Sequence, residues 1–342
     1  MKNKAILILT GSIFLSNAMA NELTVVSYGG PSKIAQADAY YTPFENATGN
    51  RVNATEWNGE MGKIKAMVDT RSVTWDVVQV EAPSLRRGCE EGLFEKLDKN
   101  IVERSADFVP GTVSPCGVGI LVWAMTMAYN ADKVKTAPSS WQDFWDVKKY
   151  PGKRGMVKSA EYNLEIALMA DGVPTKDVYK VLSTKDGVDR AFKKLDQLKS
   201  HIQWWEAGAQ PPQYLAAGDV VMSTTWSGRI PAARQEGVNL KNVWTGNIYG
   251  IDSWAIPKGS KNKKIAEQFI RFTEQPEQQK IYSSRLFYGP TNIKTNAMLA
   301  PKVVAEMSSS PQNLQTALAL DAKFWVENGE DLEQRFRAWA TK

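Results

Sequence analysis

The sequence predicts an α/β fold in two lobes, and three observations carry that reading. The chain has 342 residues, strand-like runs alternate with helical ones along it, and no long flexible linker or internal repeat interrupts it. At roughly 150 residues per domain the length suits about two cores. Strands alternating with helices imply an α/β sheet with crossovers, and the missing linker implies lobes joined by short connections. Hydrophobic residues at 43% and charged residues at 23% fit a globular chain and exclude a disordered or fibrous one.

Leu23 to Ser27 is a short β-type run that stops at the turn-forming Tyr28-Gly29-Gly30-Pro31, so a strand ending in a glycine loop is expected. The segment through Phe44-Glu45-Asn46-Ala47-Thr48-Gly49 reads as a helix closed by glycine, and Arg51 to Thr55 alternates like a strand. Glu60 to Asp69 returns to helical spacing before Trp75-Asp76-Val77-Val78-Gln79-Val80, a strand rich in β-formers. Ala82-Pro83 follows at once, which sets Glu81 near the carboxyl end of that strand, the edge where open α/β sheets bind ligands. Gly117-Val118-Gly119 lacks the third glycine of a dinucleotide loop and reads as a turn.

A second α/β section follows Tyr129-Asn130. It opens with Trp141 to Trp145 and the turn Tyr150-Pro151-Gly152, then holds a helix from about Thr184 to Lys199, a β-like stretch at Gln203-Trp204-Trp205 and the run Val220 to Trp226. Gly246 to Pro257 reads as a strand with turns. Lys261 to Glu274 carries Ile265, Phe269 and Phe272 at helical spacing, which marks them as core. From Pro311 the composition is helical, with Trp325, Phe336 and Trp339 available to dock on the body.

The amino terminus combines Met1-Lys2-Asn3-Lys4, an apolar stretch from Ala5 to about Leu15, and Ala18-Met19-Ala20, the parts of a secretory signal. Cleavage is expected after Ala20, with no cysteine at the cut site to accept a lipid. Removing Lys2 and Lys4 lowers the formal charge from +5 to +3, too small an excess to argue for nucleic acid. Nothing later approaches about twenty consecutive apolar residues, so the mature chain is expected to be soluble. In an oxidising space Cys89 and Cys116 are expected to pair, stabilising the fold by ~3–4 kcal/mol. Separately buried thiols or a catalytic thiol are the alternatives.

His201 is the one histidine, so His-rich zinc sites and di-histidine motifs are ruled out. Phosphate-binding G-x-x-x-x-G-K-[ST], G-x-S-x-G, H-E-x-x-H and EF-hand patterns are missing, and neither a cofactor nor a metal is expected. A Ser-Lys or paired-carboxylate enzyme carries no such signature, which keeps an exported hydrolase with a cleft active site as a rival reading.

The exported start, Phe44 to Gly49 before a strand, Trp75-Asp76-Val77-Val78, Gln213 to Met222, and Asp252-Ser253-Trp254-Ala255-Ile256-Pro257 before a helix recur in one order. That order resembles the periplasmic solute-binding proteins of ABC importers, in the branch that includes spermidine- and putrescine-binding proteins and a GABA-binding relative. The resemblance covers nearly the whole mature chain. It implies a periplasmic-binding-protein type II fold: two α/β lobes, two crossings between them and a ligand cleft. The crossings would fall near Ala128-Tyr129-Asn130 and from Tyr249 to Asp252. One lobe would comprise residues 21–127 plus 253–300 and the other 128–252, with 301–342 packing across both.

The family's amine pockets use aromatic walls, because a π face attracts a cation while the ring covers methylenes. By position Tyr28, Trp226 and Tyr288 resemble those walls, although each ring could instead fill a core. Trp57, Trp123, Trp204 and Trp205 read as packing residues, with Trp205 nearest to an exception. Asp252 falls where the resemblance places an acid that receives an amine; capping the following turn is its bland alternative. Glu81 is a second acid from the opposite lobe, with Glu161 and Glu206 in reserve.

Arg229, directly after Trp226-Ser227-Gly228, departs from the polyamine pattern, since a guanidinium suits a carboxylate far better than a dication. Gly250 also replaces an aromatic that the pattern carries two residues before its acid. Both changes favour a zwitterion such as GABA over a putrescine- or spermidine-type polyamine. An Arg229–Asp252 salt bridge that touches no ligand competes with that view. The expected protein is a periplasmic monomer that carries an amine-bearing solute to an inner-membrane ABC permease and performs no covalent chemistry. A ligand-sensing subunit for a membrane receptor would present the same sequence features.

Overall fold

The alternation of strand and helix produces one mixed sheet, in a computed structural model that describes residues 21–341. The signal-like segment and its expected cut after Ala20 lie outside the described residues. The strands are β1 (Glu22–Ser27), β2 (Arg51–Glu56), β3 (Val77–Glu81), β4 (Val113–Ser114), β5 (Gly117–Asn130), β6 (Arg154–Val157), β7 (Ile202–Trp205), β8 (Met222–Trp226), β9 (Leu240–Ala255) and β10 (Leu318–Ala319). Their spatial order is β2-β1-β3-β9-β5-β8-β6-β7, with β4 on β5 and β10 on β9.

Two parallel groups flank a central antiparallel pair. β2, β1 and β3 run parallel on one side, as do β8, β6 and β7 on the other. β5 and β9 pair from Gly117↔Ala255 to Asn130↔Leu240, with register shifts at Gly119/Leu121 and Met125/Met127. The last residues of β9 pair with β3, whereas Met125 to Tyr129 of β5 pair with β8. Each long strand therefore belongs to both halves, which makes two lobes with two crossings, and the cleft between them is floored by these strands.

Gly117-Val118-Gly119 opens β5 instead of forming the expected turn. A Cβ at Gly117 would lie 2.9 Å from the Trp254 carbonyl oxygen, so glycine serves close strand packing there and not a chain reversal. Likewise the turns expected between Gly246 and Pro257 are absorbed into the continuous β9. The helix Lys263–Thr273 buries Phe269, while Ile265 and Phe272 are only half-buried against the core. Trp254 is fully buried and meets the Phe269 ring edge-on at 5.8 Å.

Asp76 of the Trp-Asp-Val-Val segment is a pin. Its carboxylate accepts hydrogen bonds from Thr24 N at 2.9 Å, Ser260 Oγ at 2.7 Å and Asn262 Nδ2 at 3.1 Å, tying β1 to the loop before Lys263–Thr273. Cys89 and Cys116 form a disulfide with Cα atoms 5.8 Å apart, anchoring the helix Ala82–Glu90 beside β5. The carboxyl-terminal helix Ala322–Ala340 buries Trp325 and Phe336, and Trp339 packs half-buried against Phe192 and Trp204. Among the described residues no helix is long and apolar enough to cross a membrane.

Candidate functional site

Tyr28, Glu81, Trp226, Arg229, Asp252 and Tyr288 all line a single cavity of about 300 Å³. Strand ends and short turns deliver them. Tyr28 follows β1, Glu81 ends β3, Trp226 ends β8, and Arg229 opens the helix Arg229–Gln235 after the two-residue turn Ser227-Gly228. Asp252 lies within β9, and Tyr288 follows the helix Pro276–Leu286, whose cap Phe287 takes a left-handed φ of 57°. The turn at Gly228 admits this last segment closely: a Cβ there would sit 2.6 Å from the Leu286 carbonyl oxygen and 3.0 Å from the Tyr288 ring.

The cavity has an acidic floor. Glu81 and Asp252 are direct register partners on antiparallel β3 and β9, so their carboxyl groups share one face of the sheet. Burial, reinforced by the neighbouring Glu81 carboxylate, raises the Asp252 pKa, and burial raises that of Glu81. Asp252 is not left bare: Gln79 Nε2 donates to its Oδ2 at 2.7 Å and Trp123 Nε1 to its Oδ1 at 2.9 Å. Behind Gln79 the chain continues through Gln36 Nε2 to Gln79 Oε1 at 2.8 Å and Tyr41 Oη to Gln36 Oε1 at 2.7 Å. This buried relay fixes both oxygens of Asp252 and contradicts a mere turn-capping role.

Aromatic rings and a cation complete the walls. Trp226 meets Trp123, Tyr162 and Trp205 edge-on at 5.2, 5.4 and 6.3 Å, leaving it half-exposed to the cavity. Tyr28 stacks on Trp57 at 6.0 Å. Burial, then Asp252 and Glu81, push the Tyr28 hydroxyl pKa upward. For Tyr288 burial dominates the upward shift, opposed by Arg229 and reinforced by Asp252, so charges of both signs bear on one ring. Arg229 makes no ion pair among the described residues, and its buried Nε has no hydrogen-bond partner. The competing Arg229–Asp252 salt bridge is therefore absent, and the guanidinium has hydrogen-bonding capacity to spare.

Trp123 corrects the sequence reading, because it lines the cavity rather than only packing. Trp205 is 1% exposed behind Trp226 and Trp204 packs on Phe336, so neither reaches the cavity. Gln79, Ser32, Leu121 and Arg285 also line it and went unrecognised. Gln79 was detectable, since it sits two residues before Glu81 and period-two alternation puts both on one face. Of the reserve acids, Glu206 forms an exposed pair with Lys158 at 2.9 Å. Glu161 lines a different cavity against the carboxyl-terminal helix, where burial and then Glu165 push it up to about 8.

Such a cavity can hold a small molecule carrying a cation at one end and an anion at the other, with apolar ring faces between. Residues 39–312 match the family described as bacterial extracellular solute-binding protein. A gamma-aminobutyric acid-binding protein of Pseudomonas aeruginosa is 56% identical over 327 residues, 96% of this chain and 93% of that protein. A spermidine/putrescine-binding periplasmic protein of Escherichia coli is 22% identical over 278 residues, 78% of each. Among solved structures, a GABA receptor superposes with a TM-score of 0.85 at 35% identity, covering 94% of this chain and 98% of that one. An ABC transporter substrate-binding protein from Bradyrhizobium japonicum gives 0.86 at 33% identity, covering 93% and 99%.

Proposed function

The chain belongs to the bacterial extracellular solute-binding proteins, and from that premise we propose that it captures a GABA-like zwitterionic amino acid and delivers it to an ABC permease. The observation that carries this reading is Arg229, a guanidinium with an unpartnered buried Nε on the same cavity as the Glu81–Asp252 pair. The acids receive the ammonium, Arg229 grips the carboxylate, and Tyr28, Trp226 and Tyr288 cover the methylenes. A dication such as putrescine would bring one ammonium toward Arg229, which disfavours it. The 56% identity to a gamma-aminobutyric acid-binding protein supports the same choice.

In this reading the lobes are residues 21–127 plus 253–300 and 128–252, with 301–342 packed across them. Ligand binds as they close, water is excluded, and the ion pairs strengthen in the lower dielectric. The mature protein acts as a periplasmic monomer after cleavage behind Ala20, binds stoichiometrically and leaves its ligand chemically unchanged.

Calorimetry on ligand-stripped protein with GABA, putrescine and spermidine tests the proposal. The expected result is tight binding of GABA, with Arg229→Ala losing at least about tenfold in affinity while remaining folded. Preferential binding of either polyamine, or undiminished GABA binding by Arg229→Ala, refutes it.

A further inference from the structure

We propose that Trp123, accommodated by the bare backbone of Gly250, sets the length of ligand the cavity accepts; this rests on the zwitterion reading above. Trp123 on β5 and Gly250 on β9 are register partners at the base of the cleft. A Cβ on Gly250 would fall 2.6 Å from Trp123 Cη2 and 2.7 Å from Cε2, so the indole lies across the glycine and occupies the space of a side chain there. Gly250 is not among the glycines of positive φ, so the indole and not backbone conformation demands a glycine. A large residue at position 250 and this pose of Trp123 are mutually exclusive.

The indole is held on every side that matters. Its Nε1–H donates to Asp252 Oδ1 at 2.9 Å, and its ring meets Trp226 at 5.2 Å and Tyr162 at 5.9 Å, both edge-on. It is 5% exposed, yet it lines the cavity beside Leu121 and Asp252. A wall clamped to the acid that receives the ammonium cannot retreat for a longer ligand without breaking that acid's hydrogen bond. One methylene in such a pocket discriminates by roughly 10-fold or more.

The test is calorimetry on the mature chain with GABA and the two straight-chain homologues longer by one and two methylenes, for the wild type, Trp123→Leu and Trp123→Phe. The wild type is expected to prefer GABA. Trp123→Leu is expected to raise the affinity of the longest homologue relative to GABA by at least about tenfold, with a smaller rise in Trp123→Phe. Equal weakening of all three ligands would overturn the proposal, reducing Trp123 to a support for Asp252. Should Trp123→Leu fail to fold, the ratio in Trp123→Phe decides, a rise supporting the proposal and no rise overturning it. Gly250→Ala is expected to weaken GABA binding in the wild type and to matter less beside Trp123→Leu; an equal loss in both would refute shared space. A wild type that binds none of the three ligands overturns the zwitterion reading, and this one with it.

Discussion

Glu81 and Asp252 stand directly opposite each other on β3 and β9 and both face the cavity. Two carboxyl groups so placed cannot both ionise cheaply in the empty protein, and burial raises both pKa values. Their linkage to folding therefore has the opposite sign from that of a salt-bridged acid. At pH values below about 4 the folded and unfolded chains are both protonated and the effect vanishes. Above that the unfolded chain loses its protons first, so the stability of the empty protein falls with rising pH until the folded groups ionise too. A ligand ammonium favours the ionised pair, so binding is expected to release protons and to tighten as pH rises through this window. Calorimetry at one pH in buffers of different ionisation enthalpy reads the release directly. An apparent enthalpy independent of buffer would contradict it.

Gln79 holds Asp252 from below and is itself held by Gln36. Gln79→Leu removes the donor to Asp252 Oδ2 and the acceptor for Gln36 Nε2, leaving buried polar atoms unpaired. The expected loss is about 1–3 kcal/mol in denaturant unfolding, with weaker ligand binding. Unchanged stability and affinity would mean that the relay is dispensable.

The Cys89–Cys116 bridge joins residues 27 apart in sequence. In the chain-entropy model a loop of that length contributes about 3.5 kcal/mol, so the double replacement by serine should lower the unfolding free energy by roughly that amount. Since neither cysteine lines the cavity, ligand affinity at a temperature where the variant is folded is expected to persist.

Much of this architecture was legible because local rules and global packing agree. Glycine 49 closes its helix in the left-handed region at φ 73°, as its position after Phe44 to Thr48 implies. Glu81 ends its strand where Ala82-Pro83 stops β pairing. The joint position of the six residues was not written in any short motif; it followed from segment order. What escaped were consequences of long-range pairing. The length of β5 was hidden by Gly117 and Gly119, whose small size serves contacts with residues more than a hundred positions away. With β5 unrecognised, alternation could not put Trp123 on the cleft face, so a hydrogen-bonded wall residue looked like core.

Glu333 offers a last test, of how the carboxyl-terminal helix is held. From Ala322–Ala340 it reaches back to the turn before the helix Asn163–Ala170, where Glu333 Oε1 accepts hydrogen bonds from Ala160 N at 2.7 Å, Glu161 N at 3.3 Å and the Ser159 hydroxyl. One carboxylate thus satisfies two backbone donors of the turn that leads into the helix. Eight residues earlier, Trp325 Nε1 donates to the buried Glu165 Oε1 at 2.7 Å, so the helix is fastened at two points. The same helix lies against Ala82–Glu90 from the other side of the cleft. Glu333→Ala is expected to cost about 1–3 kcal/mol of unfolding free energy, with Glu333→Gln losing less because an acceptor remains. Hydrogen exchange should report faster exchange at the Ala160 and Glu161 amides in the alanine variant. If those amides stay protected, the helix is held by Trp325, Phe336 and Trp339 alone.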